Sequence, residues 1–154
     1  MARRRGPRTE LEFSAGGVVI RVVESGPECV VIIPSRRAAG GRQVLALPKG
    51  HPDGDETAEQ AALREVREET GVQAEVVEPL GTVGYWYQRE GRRIRKKVDF
   101  FLLRHLEGNP DEHRDHEIDQ ARWMGLDEAA GALTYPGDRE MVRLAASKLD
   151  GTAR

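Results

Sequence analysis

The stretch GHPDGDETAEQAALREVREETGV, residues 50–72, decides how this chain is read. From residue 57 onward it is made of good helix formers (Ala, Glu, Gln, Leu, Arg), and Gly71 follows as a left-handed cap. Thr57 and Gln60 match a capping box, which starts the helix at residue 57 or 58. At 3.6 residues per turn, Glu65, Glu68 and Glu69 share an arc of roughly 100°. Ala62, Leu63, Val66 and Thr70 form the adjacent stripe, suited to packing on a sheet. Three carboxylates at i, i+3 and i+4 repel one another and weaken the helix. A hard divalent cation removes that repulsion, because Mg²⁺ takes oxygen ligands and accepts carboxylates together with substrate phosphates. A solvated acidic face braced by Arg64 and Glu68 is the other reading of the same spacing.

The preceding segment, residues 47–56, reads LPKGHPDGDE and is a turn-rich connection feeding directly into the helix. Backbone amides at a helix N-terminus attract anions, and Lys49 adds a point charge suited to phosphate. Glu56 and Arg64 are placed to pair across the junction. Gly50, Glu56, Arg64, Glu65, Glu68, Glu69 and Gly71 fit G-x5-E-x7-R-E-U-x-E-E-x-G-U, with Val66 and Val72 in the aliphatic U positions. At background frequencies of about 5–7% per fixed residue, such a match arises by chance on the order of once in 10⁸. The segment resembles the Nudix box, the signature of hydrolases that cleave a nucleoside diphosphate linked to another group.

That resemblance implies an α/β protein of the Nudix fold, a mixed β-sheet in an α/β/α sandwich. It implies Mg²⁺, with Mn²⁺ able to substitute, held by Glu65, Glu68 and Glu69 and by the carbonyl of Gly50. Glu68 or Glu69 is the general base it implies, while Arg64 and Glu56 orient the carboxylates.

The rest of the chain agrees with a single domain. Its 154 residues suffice for a real core, and 38% hydrophobic with 32% charged residues suits a globular protein. No apolar run approaches the ~20 residues of a membrane helix. The start lacks an apolar signal region, so residues 1–10 are expected to be a disordered basic arm ahead of a domain at 11–150. Cys29 stands alone, which fits a cytoplasmic location. Strands are expected at 13–23, 28–33, 44–47, 74–87, 93–106 and 121–124. A short helix capped by Asp127 should run to Leu133, and a last helix should cover 138–149.

Further candidates lie outside the box. The resemblance implies a metal-binding or base Glu within His116-Glu117-Ile118, hence Glu117. Strand alternation sets Arg93, Arg95 and Lys97 on one side and Ile94, Lys96 and Val98 on the other. A solvated sheet edge would explain this basic run. The resemblance places the strand beside the substrate cleft, so Arg93, Arg95 and Lys97 are expected to contact polyphosphate, as are Arg36 and Arg37. Tyr85, Trp86, Tyr87 and Tyr135 could each stack a nucleobase, Tyr87 and Tyr135 foremost, and Trp123 is expected in the core.

Ala15-Gly16-Gly17-Val18-Val19, residues 47–52, Asp99-Phe100-Phe101-Leu102 and the closing Trp123, Ala129 and Tyr135-Pro136 resemble segments of the small bacterial diadenosine polyphosphate hydrolases. Pro48-Lys49-Gly50 is also similar to diphosphoinositol polyphosphate hydrolases. Oxidised-guanine triphosphate cleansing and a silent ligand-sensing module are the alternatives. The partner expected is a nucleoside polyphosphate, with no membrane, no stable nucleic-acid partner, and a monomer or homodimer.

Overall fold

A computed structural model of the chain describes residues 9–152. Its strands are β1 (Thr9–Val23), β2 (Gly26–Pro34), β3 (Lys49–Gly50), β4 (Gln73–Arg89), β5 (Arg92–Glu107) and β6 (Ile118–Gly125). Its α-helices are α1 (Ala58–Thr70), α2 (Leu126–Ala132) and α3 (Pro136–Thr152). The sheet runs β4-β5-β1-β2-β6, with β3 paired to β1. Among the described residues only the β1–β5 pairing is parallel, so the sheet is mixed, as expected.

Alternation along the strands divides the core between two layers. On one face Ala15, Val19, Val30, Phe101 and Leu103 receive Ala61, Ala62 and Val66 of α1. On the other, Val18, Ile20, Val31, Val98 and Phe100 receive Ala129 of α2 and Met141, Val142 and Ala145 of α3. The result is the α/β/α sandwich. Trp123 is half-buried at the edge of the α1-side cluster, with the Arg21 guanidinium 4.1 Å from its ring centroid.

Gly17 shows how tightly α1's side is packed. A Cβ there would overlap Cδ1 of Leu103 and sit 2.8 Å from its Cγ and 3.2 Å from the Phe101 carbonyl oxygen. Gly17→Ala is therefore expected to cost about 1–3 kcal/mol in equilibrium denaturation, the usual penalty for overpacking a filled core.

Three expectations are corrected. Thr9 and Glu10 already belong to β1, so the arm expected at 1–10 does not include them; its residues 1–8 lie outside the described residues. Residues 44–47 do not form a strand beyond one bridge, Ile32 to Ala46. The Leu45 amide instead donates to Thr134 Oγ1 (2.8 Å) and the Leu47 amide to Asp138 Oδ2 (3.1 Å), so side chains take the bonds a ladder would use. Asp127 does not cap α2; Gly125 holds that position without a side-chain bond, and Asp127 lies in the first turn. Among the described residues no helix is long and apolar enough to cross a membrane.

Candidate functional site

The helix that carries the box is fixed at both ends. Thr57 and Gln60 close a complete capping box, and Gly71 ends the helix at φ 73° with its N–H on the Arg67 carbonyl. His113 adds a lock, its Nε2 lying 2.6 Å from the Glu68 carbonyl oxygen. A ring nitrogen this close to a carbonyl must carry the proton.

Arg64 joins loop to helix. Its Nε donates to Glu56 Oε2 (2.7 Å), its Nη2 to Glu56 Oε1 (3.0 Å) and to the His51 carbonyl (2.8 Å), and its Nη1 to Glu65 Oε1 (2.9 Å) and Glu68 Oε2 (3.0 Å). The guanidinium fork lowers the Glu56 carboxyl from its ordinary value, helped by the Asp53 amide. In return the guanidinium is itself made a still weaker acid, mostly through Glu56.

A cleft of about 650 Å³ opens beside this junction, lined among others by Arg36, Lys49, Gly50, Glu65, Glu69, Lys96 and Glu117. Glu69 is half-buried and accepts the Lys49 N–H at 2.8 Å. Burial pushes its carboxyl up to about 8, the charges of Glu65 and Asp115 push the same way, and the Lys49 amide and ammonium oppose them. Glu65 is also raised, again chiefly by burial, with Arg64 opposing. Glu68 is different, with its side chain 55% exposed and turned to Arg64.

These donors fit a hard divalent cation. Two acids that burial holds away from ionisation face one cleft, and a Cβ on Gly50 would fall inside the Glu65 carboxylate, so only glycine allows that backbone to lie against it. In the present side-chain positions no three acidic, His or Cys groups among the described residues converge on one point. Arg64 holds two of the candidate oxygens, Glu65 Oε1 and Glu68 Oε2. One or two carboxylates completed by phosphate oxygens suffice for Mg²⁺.

A second cavity, about 380 Å³, adjoins the first at Lys49 and is walled by Val83, Tyr85, Phe100, Tyr135, Pro136 and Asp138. Lys49 Nζ stands 5.4 Å from the Tyr135 ring centroid. Asp138 is 3% exposed, and burial raises its carboxyl against the pull of Lys49 and the Leu47 amide. An acid raised in the fold releases its proton first in the unfolded chain. Stability is therefore lost as pH climbs from the ordinary carboxylate range to the folded value. Asp138→Asn keeps an oxygen for the Leu47 amide and removes the titration. Its melting temperature should match wild type near pH 4 and exceed it increasingly toward pH 7.

The remaining candidates divide. Arg36, Glu117 and Tyr135 line the cavities, whereas Arg37 lines neither and the Tyr87 hydroxyl bonds Glu12. Arg93, Arg95 and Lys97 need correcting: they share a sheet face with Trp86, and Lys96, on the other face, is the basic residue that this strand contributes to the cleft. The alternation was legible, but which side the cleft occupies depends on where α1 and α3 pack. Tyr85, one of the aromatics offered for stacking, does line the second cavity, whereas Lys96, Asp115 and Asp138 were missed. Each of the three is one charged residue with no spacing signal of its own, so only the tertiary fold singles it out.

A family model described as NUDIX domain matches residues 13–145. The chain is 38% identical over 93% of its length to a Mycobacterium tuberculosis protein named as a candidate mutator protein, MutT4, and spans 58% of that relative. It is 36% identical over 64% of its length to an 8-oxo-(d)GTP phosphatase of Mycolicibacterium smegmatis, spanning 29% of it. In fold it is similar to a Caenorhabditis elegans Ap4A hydrolase, with TM-score 0.65, 24% identity, and 91% and 98% of the two chains covered.

Proposed function

Since the chain belongs to the NUDIX family, we propose that it is a magnesium-dependent pyrophosphohydrolase that cleaves a phosphoanhydride bond in a nucleoside polyphosphate, foremost a dinucleoside polyphosphate. The observation that carries this reading is the pair of cavities meeting at Lys49, one walled by box carboxylates and cations, the other by tyrosines. Polyphosphate fits the first, against Lys49, Lys96 and Arg36, and a purine fits the second, between Tyr85 and Tyr135.

Glu65 and Glu69, the Gly50 carbonyl, and Glu68 once released from Arg64 are the groups to hold the metal, with Glu117 at the rim. Bound Mg²⁺ (or Mn²⁺) would neutralise phosphate charge and make water a better nucleophile. Lys49, Lys96 and Arg36 orient the phosphate chain. Arg64, anchored by Glu56, keeps Glu65 aimed at the cleft. Of the two candidate bases, Glu69 is favoured, because it faces the cleft while Glu68 sits on Arg64. The water oxygen bonds to phosphorus, the anhydride P–O bond breaks, and the water proton passes to the carboxylate.

A second reading, hydrolysis of an oxidised guanine triphosphate, is favoured by likeness to the 8-oxo-(d)GTP phosphatase. Turnover of diadenosine tetraphosphate, 8-oxo-dGTP, ADP-ribose and a diphosphoinositol phosphate with magnesium separates these. The highest kcat/KM is expected for diadenosine tetraphosphate. Preference for 8-oxo-dGTP selects the second reading, and binding of all four without turnover refutes the enzyme.

A further inference from the structure

Beyond the cleft, β1, β4 and β5 continue as a three-stranded extension whose two faces are chemically opposite. Arg93 is paired to Thr9 and Gln88, Arg95 to Leu11 and Trp86, and Lys97 to Phe13 and Gly84. Cross-strand partners share a face, so one surface gathers two guanidiniums, an ammonium, an indole and two apolar side chains. Leu11 is 62% exposed, Phe13 39% and Trp86 48%. Arg93 and Arg95 lie 4.3 and 5.6 Å from the centroid of the Trp86 ring. The acids of the strand ends sit on the reverse side: Glu10 pairs with Arg92 (2.8 Å), and Glu12 pairs with Lys96 (3.6 Å) and Arg89 (3.7 Å). Among the described residues, Arg93, Arg95 and Lys97 have no carboxylate partner. Asp99, engaged by the Thr82 hydroxyl at 2.6 Å, closes the row at its far end.

We propose that this outer face of the β1–β4–β5 extension binds single-stranded nucleic acid. Alternate residues on a strand are about 7 Å apart, so the three cations form a straight row that a phosphate backbone can follow. Trp86 and Phe13 beside the row offer ring faces for bases, the combination single-strand binders use. The same face of a second copy carries the same positive charge and is repelled. An acidic peptide would answer the charge but leave the aromatic faces unused. Such binding departs from the sequence expectation of no stable nucleic-acid partner. The inference is independent of the proposed hydrolysis, since none of Arg93, Arg95, Lys97 and Trp86 lines the cleft or the cavity beside it.

The test is fluorescence anisotropy of labelled 12-nucleotide RNA and DNA strands with the full chain in EDTA, where no turnover interferes. Three neutralised phosphates predict log K falling against log salt with a slope of about −2. Arg93→Ser/Arg95→Ser/Lys97→Ser should weaken binding at least tenfold and flatten that slope. Trp86→Ala should weaken it about tenfold with the slope kept. Both variants keep Arg3, Arg4, Arg5 and Arg8, so their loss assigns binding to the sheet. Melting curves and nucleotide hydrolysis like wild type would show that fold and cleft are untouched. Absence of binding, wild-type affinity in both variants, or equal displacement by polyglutamate of the same charge would overturn the proposal. RNA preference or equal affinity for both strands would each sustain it.

Discussion

Glu69→Gln is expected to lower kcat by about 10³-fold while leaving KM within a few-fold of wild type. Glutamine keeps the size of the side chain and an oxygen for the Lys49 amide, which the carboxylate now accepts at 2.8 Å. What it removes is negative charge and the capacity to take a proton. The fold should not suffer. Burial pushes the Glu69 carboxyl up to about 8 when no cation is present, far above its value in an unfolded chain. Ionising it therefore works against the fold, progressively from about pH 4.5 to 8, and the amide is spared that cost. In EDTA the variant should melt at or above the wild-type temperature at pH 8, and the two should converge toward pH 4.5. Single-turnover kinetics with saturating magnesium would read the first effect and calorimetry the second. Wild-type turnover in this variant would remove Glu69 from the chemistry and return the base to Glu68.

The box helix was legible because local rules and tertiary demands agree there. Thr57, Gln60 and Gly71 cap it as their chemistry requires, and Val66 goes to the core while Glu65 and Glu69 go to the cleft. The Glu56–Arg64 pairing was legible for the same reason, since it spans only eight residues. The long strands were legible from alternation. Residues 44–47 misled because Leu45 and Leu47 meet partners some 90 positions away, at Thr134 and Asp138. No local pattern announces such a bond. The basic strand misled differently. Alternation separated Arg93, Arg95 and Lys97 from Lys96 correctly, but a strand is symmetric in its own sequence as to which side faces a cleft. Only the packing of α1 on one face and α3 on the other breaks that symmetry.

Gly50→Ala is expected to separate stability from activity. Gly50 lies in β3, paired to Ala15, and carries no positive φ, so its role is space and not backbone freedom. The added methyl would occupy the position of the Glu65 carboxylate, whose Oε1 is held by Arg64 at 2.9 Å. A carboxylate is the far end of a flexible side chain and can swing away without disturbing the core, so denaturation midpoints should move little. The site, in contrast, loses the aim of one of its acids. A displacement of about 1 Å at a reacting centre can cost 10²-fold in rate, and kcat/KM is expected to fall by about that factor. If Glu65 holds the metal, the magnesium concentration for half-maximal rate should also rise, by roughly tenfold, the lower end of what disturbed ligand surroundings cost. Magnesium titrations of wild type and variant, beside their urea melts, test both halves together. A variant that unfolds early would make Gly50 a structural glycine only. One that keeps both wild-type turnover and wild-type magnesium dependence would show that the contact between Gly50 and Glu65 does not set the geometry of the metal site.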